Sequence, residues 1–112
     1  MEPVHFVHKP VLFQETIDSL AIRPEGTYID GTAGGGGHSE AILQRLTTGR
    51  LLSIDQDPDA IAACTERLSR YPGSVIRRGN FSQMGEIAAG CGIREVDGVL
   101  LDIGVSSYQL DT

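Results

Sequence analysis

With 112 residues, the chain is long enough for one domain around one core and too short for two. A hydrophobic share of 40% excludes a disordered chain, and no apolar run approaches the roughly 18 residues of a membrane span. The net charge of −6 excludes a chain that grips nucleic acid mainly through a basic face of its own. Arg77-Arg78, with Arg67 and Arg70 nearby, form the only concentrated positive charge.

The first ten residues, MEPVHFVHKP, lack the basic-then-apolar pattern of a secretory signal, so cytoplasmic residence is expected. His5 and His8 read as polar surface. Residues 10–20, PVLFQETIDSL, are predicted as a helix, with Pro10 in its first turn and Leu12, Thr16, Ile17 and Leu20 on one face. RPEG at 23–26 is a turn, and the first strand is expected at 27–30. A glycine-dense segment follows, then a helix over 38–46 with Ala41, Ile42 and Leu46 inward and Gly49 as its C-terminal cap. The second strand is expected at 50–55. The next helix opens with Asp57 as cap and Pro58 at its first position, with Ile61, Cys64, Thr65 and Leu68 on one face. A third strand at 74–78 and a short helix over 82–89 come next. The run VDGVLLDI, 96–103, reads as a fourth strand buried on both faces. Cys64 and Cys91 have no motif spacing and read as reduced, buried small residues. No His, Cys and carboxylate cluster has metal-ligand spacing.

Strands alternating with helices at this spacing predict an α/β fold, a doubly wound parallel sheet in the order 3-2-1-4. Ligands of such sheets sit outside the carboxyl ends of the strands, where the strand order reverses. The unusual residues fall there: Asp30 and the glycines after strand 1, Asp55 after strand 2, Asn80-Phe81 after strand 3, and Asp102 at the end of strand 4. Glycine makes up 14 of 112 residues, and four stand in a row at 34–37. Such a run destabilises a strand-to-helix junction unless the backbone is left-handed or something must approach it closely. A ligand lying on bare backbone, with an anionic group facing the helix start, accounts for it. Asp55 stands 19 residues beyond Gly36 and suits two ribose hydroxyls. Asp57 is better placed to cap the helix.

Two ligand classes remain, a dinucleotide such as NAD or S-adenosylmethionine. Carboxylates repel a pyrophosphate and favour a sulfonium and an ammonium, so Asp30, Asp55 and Asp102 around one pocket favour the second. Asp30 reads alternatively as a loop-organising acceptor for glycine N–H groups. Phe81 is expected on an adenine ring or in the core. His38 is expected to donate to a ligand carboxylate or to cap the glycine helix.

The segments HKPVLFQE, YIDGTAGGGGHS, GRLLSIDQDPDAI, GNFSQM and DGVLLDIGVSSYQLD together resemble the bacterial MraW family, also called RsmH, from His8 to Asp111. The resemblance implies a Rossmann-like class I methyltransferase fold and S-adenosyl-L-methionine as cofactor. It implies methyl transfer to N4 of a cytosine in 16S ribosomal RNA, with the small ribosomal subunit as partner and no membrane. Carried over by motif, Gly36, Gly37, His38, Asp55, Phe81, Asp102 and Gln109 are the implied cofactor-binding positions. The family usually has Pro where this chain has Tyr108. Its proteins are several hundred residues long, with further strands and an inserted, largely helical substrate-recognition domain. The chain is therefore expected to be the N-terminal, cofactor-binding part of that methyltransferase domain.

Cytosine's exocyclic amine is a poor nucleophile, so the enzyme must align it and accept hydrogen bonds from it. Asp102 and nearby backbone carbonyls are the candidate acceptors, which makes Asp102 the candidate catalytic residue. The target base must also leave its stack. The alternatives are a fragment of an NAD-binding oxidoreductase and a catalytically inert fragment. Strand 4, without Lys or Pro, is further expected to promote self-association.

Overall fold

The computed structural model describes residues 15–31 and 33–101. In chain order they form a helix over 15–19 (α1), β1 (Thr27–Asp30), α2 (Gly37–Leu43), β2 (Arg50–Asp55), α3 (Pro58–Leu68) and β3 (Ser74–Arg78). A 3-10 turn (Phe81–Gln83), α4 (Met84–Gly90) and β4 (Gly98–Leu100) follow. The four strands are parallel and lie in the order β3-β2-β1-β4, as the sequence predicts. Thr27 stands opposite Arg50, Tyr28 opposite Gly98, and Leu51 opposite Ser74.

Period-two alternation splits the strand residues between two cores. Tyr28 and Leu51 pack on one face with Ile17, Ile42, Leu43, Cys64 and Leu68 from α1, α2 and α3. Ile29, Leu52 and Ile54 pack on the other with Ala88 of α4 and Ile93. Leu51, Leu52 and Ile54 are fully buried, and each such side chain contributes about 1.5–3 kcal/mol relative to exposure. The Asp57 carboxylate caps α3 by accepting from the Asp59 amide at 2.9 Å, and Pro58 follows at the first helical position. Asn80 and Gln83 form a reciprocal capping box at the 3-10 turn.

Several boundaries differ from expectation. Of the helix expected at 10–20, residues 10–14 lie outside the described residues, and 15–19 are helical. The helix expected at 38–46 ends at Leu43, where Arg45 and Leu46 turn to tighter bonds with the carbonyls of Ile42 and Leu43. Gly49 is not its cap. A Cβ on Gly49 would strike the carbonyl oxygen of Gly26, and one on Gly73 that of Gly49. These glycines let the starts of β1, β2 and β3 approach closely. The helix expected over 82–89 is a 3-10 turn leading into α4. On α3, Cys64 and Leu68 are buried, Ile61 is half-buried, and Thr65 is exposed with its hydroxyl on the Ile61 carbonyl. Cys91 is half-buried, not buried.

The fourth strand, expected at 96–103, starts later than expected, and 102–103 lie outside the described residues. Among the described residues it covers 98–100, and Val96 and Val99 are 38% and 37% exposed, so this stretch is not covered on both faces. Asp97 interrupts it for a local reason. Its carboxylate accepts from the Thr27 amide and from Arg23, while its own amide donates to the Thr27 carbonyl. No helix among the described residues is long and apolar enough to cross a membrane.

Candidate functional site

After Asp30 the chain passes over the carboxyl ends of its two neighbouring strands. The Gly31 amide donates to the Leu100 carbonyl at 2.8 Å, and the Ala33 amide to the Ile54 carbonyl at 2.9 Å. Gly34 and Gly36 then adopt left-handed backbone, with φ of 56° and 93°. Only glycine takes such angles without strain, so these two positions are explained by the turn itself. Gly35 and Gly37 are not left-handed. A Cβ on Gly35 would meet nothing within 4 Å, and one on Gly37 only the Arg67 guanidinium at 4.0 Å. Packing among the described residues gives no reason for glycine at 35.

Asp55 has two structural tasks at the end of β2. One carboxylate oxygen accepts from the Gly34 amide at 2.8 Å, the other from the Asp57 amide at 2.9 Å. Each oxygen retains a further lone pair for a ligand. Asp55 lines a cleft with Gly31, Gln56, Gly79, Asn80 and Phe81, at the carboxyl ends of the strands. The cleft has a volume of about 140 Å³, close to the engineered cavity of about 150 Å³ that accepts a benzene ring. Phe81 is 38% exposed beside it and so is not a core residue. Gln56 and Asn80 are joined amide to amide at 3.1 Å, and Arg78 donates to the Gln56 carbonyl at 3.1 Å.

Asp30 does not line this cleft. It is fully buried, and its carboxylate accepts from the Ser39 hydroxyl at 2.8 Å; Ser39 in turn lies 2.9 Å from the Ser53 hydroxyl. The carboxylate thus anchors the start of α2 beneath the loop through a serine hydroxyl. Burial, with the Asp30 and Asp55 carboxylates nearby, pushes the Cys64 thiol up to about 11, so it stays neutral at physiological pH.

The outer side of the loop carries a charged cluster. Glu40 of α2 accepts from Arg67 at 2.8 Å, Arg70 at 2.7 Å and the Tyr71 hydroxyl at 2.9 Å. Its side chain is only 15% exposed, and the Arg67 and Tyr71 hydrogen bonds hold its carboxyl below the usual carboxylate range. Arg70 also lies over the Tyr71 ring, 5.0 Å from its centre. Arg67 and Arg70, noted in the sequence as positive charge near Arg77-Arg78, are therefore both engaged by Glu40.

Of the expected cofactor positions, the structure brings Asp55 and Phe81 to one cleft. It places Gly36 at the N-cap of α2, with Gly37 and the half-buried His38 beginning that helix. Asp102 and Gln109 lie outside the described residues. Sequence reasoning missed Ser39, Ser53, Glu40 and Gln56. A serine inside the apolar run LLSID was the available signal for Ser53; Glu40 had none, because its partners lie 27 to 31 residues away.

A parallel sheet in this order, with a glycine loop over its first strand and an acidic residue ending its second, defines a Rossmann-like, doubly wound fold. Solved structures agree at the level of fold. A protein-L-isoaspartate O-methyltransferase matches with a TM-score of 0.66 and 12% identity, over 82% of this chain and 28% of its own. A precorrin-6y C5,15-methyltransferase from Geobacter metallireducens matches with a TM-score of 0.64 and 13% identity, over 80% and 46%. The chain belongs to the MraW methylase family, whose profile matches residues 5–112. It is 59% identical to the ribosomal RNA small subunit methyltransferase H of Lachnospira eligens, over 97% of this chain and 35% of that protein. The enzyme of the same name from Trichlorobacter lovleyi is 52% identical, over 100% of this chain and 36% of its own length. The chain thus spans about a third of the length of these relatives.

Proposed function

We propose that this chain is the cofactor-binding part of an S-adenosylmethionine-dependent methyltransferase that modifies N4 of a cytosine in 16S ribosomal RNA. The observation that carries the reading is one cleft, lined by Asp55 and the exposed Phe81, beside a loop whose Gly35 faces open space. These residues fit a nucleoside: a carboxylate for ribose hydroxyls, a ring for adenine, and bare backbone for the remainder. S-adenosylmethionine supplies an electrophilic methyl group on a sulfonium. Gly36, Gly37 and His38 belong to the loop side of the site, and Gln109 completes it by motif. Asp102 accepts hydrogen bonds from the cytosine amino group and holds it in line. The small ribosomal subunit is the partner, met in the cytoplasm. The RNA grip lies mainly in other surfaces of the protein, since Arg67 and Arg70 are engaged by Glu40.

Calorimetry tests the ligand. S-adenosylhomocysteine should bind and NAD should not; tight binding of NAD would overturn the methyltransferase reading. Asp55→Ala should weaken S-adenosylhomocysteine by about 1.5–3 kcal/mol, roughly ten- to a hundred-fold. Asp55→Asn separates the two tasks of that side chain, because an amide keeps one acceptor and loses the charge. An unchanged affinity in both variants would leave Asp55 a purely structural residue.

A further inference from the structure

We infer that Arg67, on the last turn of α3, is a positioning residue for the glycine loop and thereby for the cofactor; this rests on the reading above. Its side chain runs along the outer side of the loop. The stem lies against Gly36, where a Cβ would stand 3.4 Å from Arg67 Cδ and 3.4 Å from Cys64 Sγ. The head donates from Nε to Glu40 at 2.8 Å, and Nη1 lies 3.4 Å from the Gly35 carbonyl oxygen, a long and weak hydrogen bond. The peptide joining Gly35 to Gly36 is consequently held at both ends. Its N–H donates to the Ala33 carbonyl at 2.9 Å, and its C=O faces Arg67. That peptide follows Gly35, a loop glycine that neither a left-handed angle nor a neighbour among the described residues explains. Four consecutive glycines have much conformational freedom to lose, so fixing this peptide before the ligand arrives lowers the cost of binding.

Arg70 supplies the control. It bonds the same Glu40 carboxylate at 2.7 Å and is likewise exposed, but its recorded contacts are with Glu40 and Tyr71 rather than the loop. A structural role for the cluster predicts that the two arginines behave alike. A positioning role predicts that they differ. Exposed ion pairs contribute little to stability, so both variants should fold.

The experiment measures Kd for S-adenosylhomocysteine and Tm on the full chain for wild type, Arg67→Met, Arg67→Lys and Arg70→Met. Arg67→Met should weaken binding about tenfold, while Arg70→Met stays within about twofold at a similar Tm. Arg67→Lys retains a charge for Glu40 but lacks the fork that reaches both Glu40 and Gly35, so it should resemble Arg67→Met. Equal losses in Arg67→Met and Arg70→Met, or losses that follow Tm, would overturn the inference. Amide hydrogen exchange at Gly36 provides a readout without ligand. It should accelerate in Arg67→Met and not in Arg70→Met. Wild type that fails to bind S-adenosylhomocysteine would refute the cofactor reading, while the exchange rates would still decide whether Arg67 orders the loop.

Discussion

Gly35 and Gly36 are neighbours, yet they are glycine for different reasons, and alanine separates those reasons. Gly36 sits at φ 93°, so Gly36→Ala should destabilise the fold by about 1–2 kcal/mol through backbone strain alone. Gly35 has ordinary backbone and open space, so Gly35→Ala should leave stability unchanged or raise it by up to about 1 kcal/mol. A ligand lying on that bare backbone, as proposed, would meet the added methyl group, so S-adenosylhomocysteine binding should nevertheless weaken. Thermal denaturation beside calorimetry checks both; a Gly35→Ala chain that binds like wild type would remove that stretch of backbone from the ligand surface. At this scale the sequence was legible where a residue type is out of place. Four glycines in a row, and Asp55 beside the better cap Asp57, announced a site. The sequence did not say which carboxylate faces the cleft. Asp30 and Asp55 each end a strand, and only the packing of Ser39 and Ser53 against Asp30 decides that it is buried.

Between elements, α2 and α3 are joined by Glu40 and its three partners. The folded carboxyl of Glu40 is held below its ordinary value of 4.5, so its pairing adds stability above that range and loses it as pH falls through the lowered value. Glu40→Gln should therefore be less stable than wild type at neutral pH, and the two should converge in acid. Tm measured from pH 7 downward checks this; a constant gap across the whole range would mean that the cluster contributes packing rather than charge. The first three strands were legible to the residue because each is a short apolar run bounded by glycine or turn residues. The end of α2 was not. After Leu43 the chain tightens at Arg45 and Leu46, and the Thr47 and Gly49 amides then donate to the Pro24 carbonyl, a contact that local pattern does not reveal. The fourth strand was overcalled because apolar composition was taken to mean burial on both faces, while Asp97 is recruited to Thr27 and Val99 remains exposed.

Across the whole molecule, the strand order follows from the alternation of strand and helix, and it brings Asp55 and Phe81 to the same end of the sheet. It also leaves β4 bonded to β1 alone among the described residues. Among the described residues that outer edge has no strand partner, and the strand, Gly98–Leu100, has neither Lys nor Pro to block pairing. The surface beside it is apolar. Val96 and Val99 are more than a third exposed, and they border a groove of Ile29, Met84, Ala88 and Ile93. Arg94 is a charged residue on its rim. A second copy of the chain pairing there would satisfy the edge hydrogen bonds and cover the valines in one step. Sedimentation velocity on this chain should therefore show association that increases with concentration. Val99→Lys puts a charge on that exposed surface without disturbing the buried Leu100, and it should shift the chain towards monomer. Monomer at every concentration in the unsubstituted chain, or association that Val99→Lys leaves unchanged, would mean that β4 is not the surface through which copies meet.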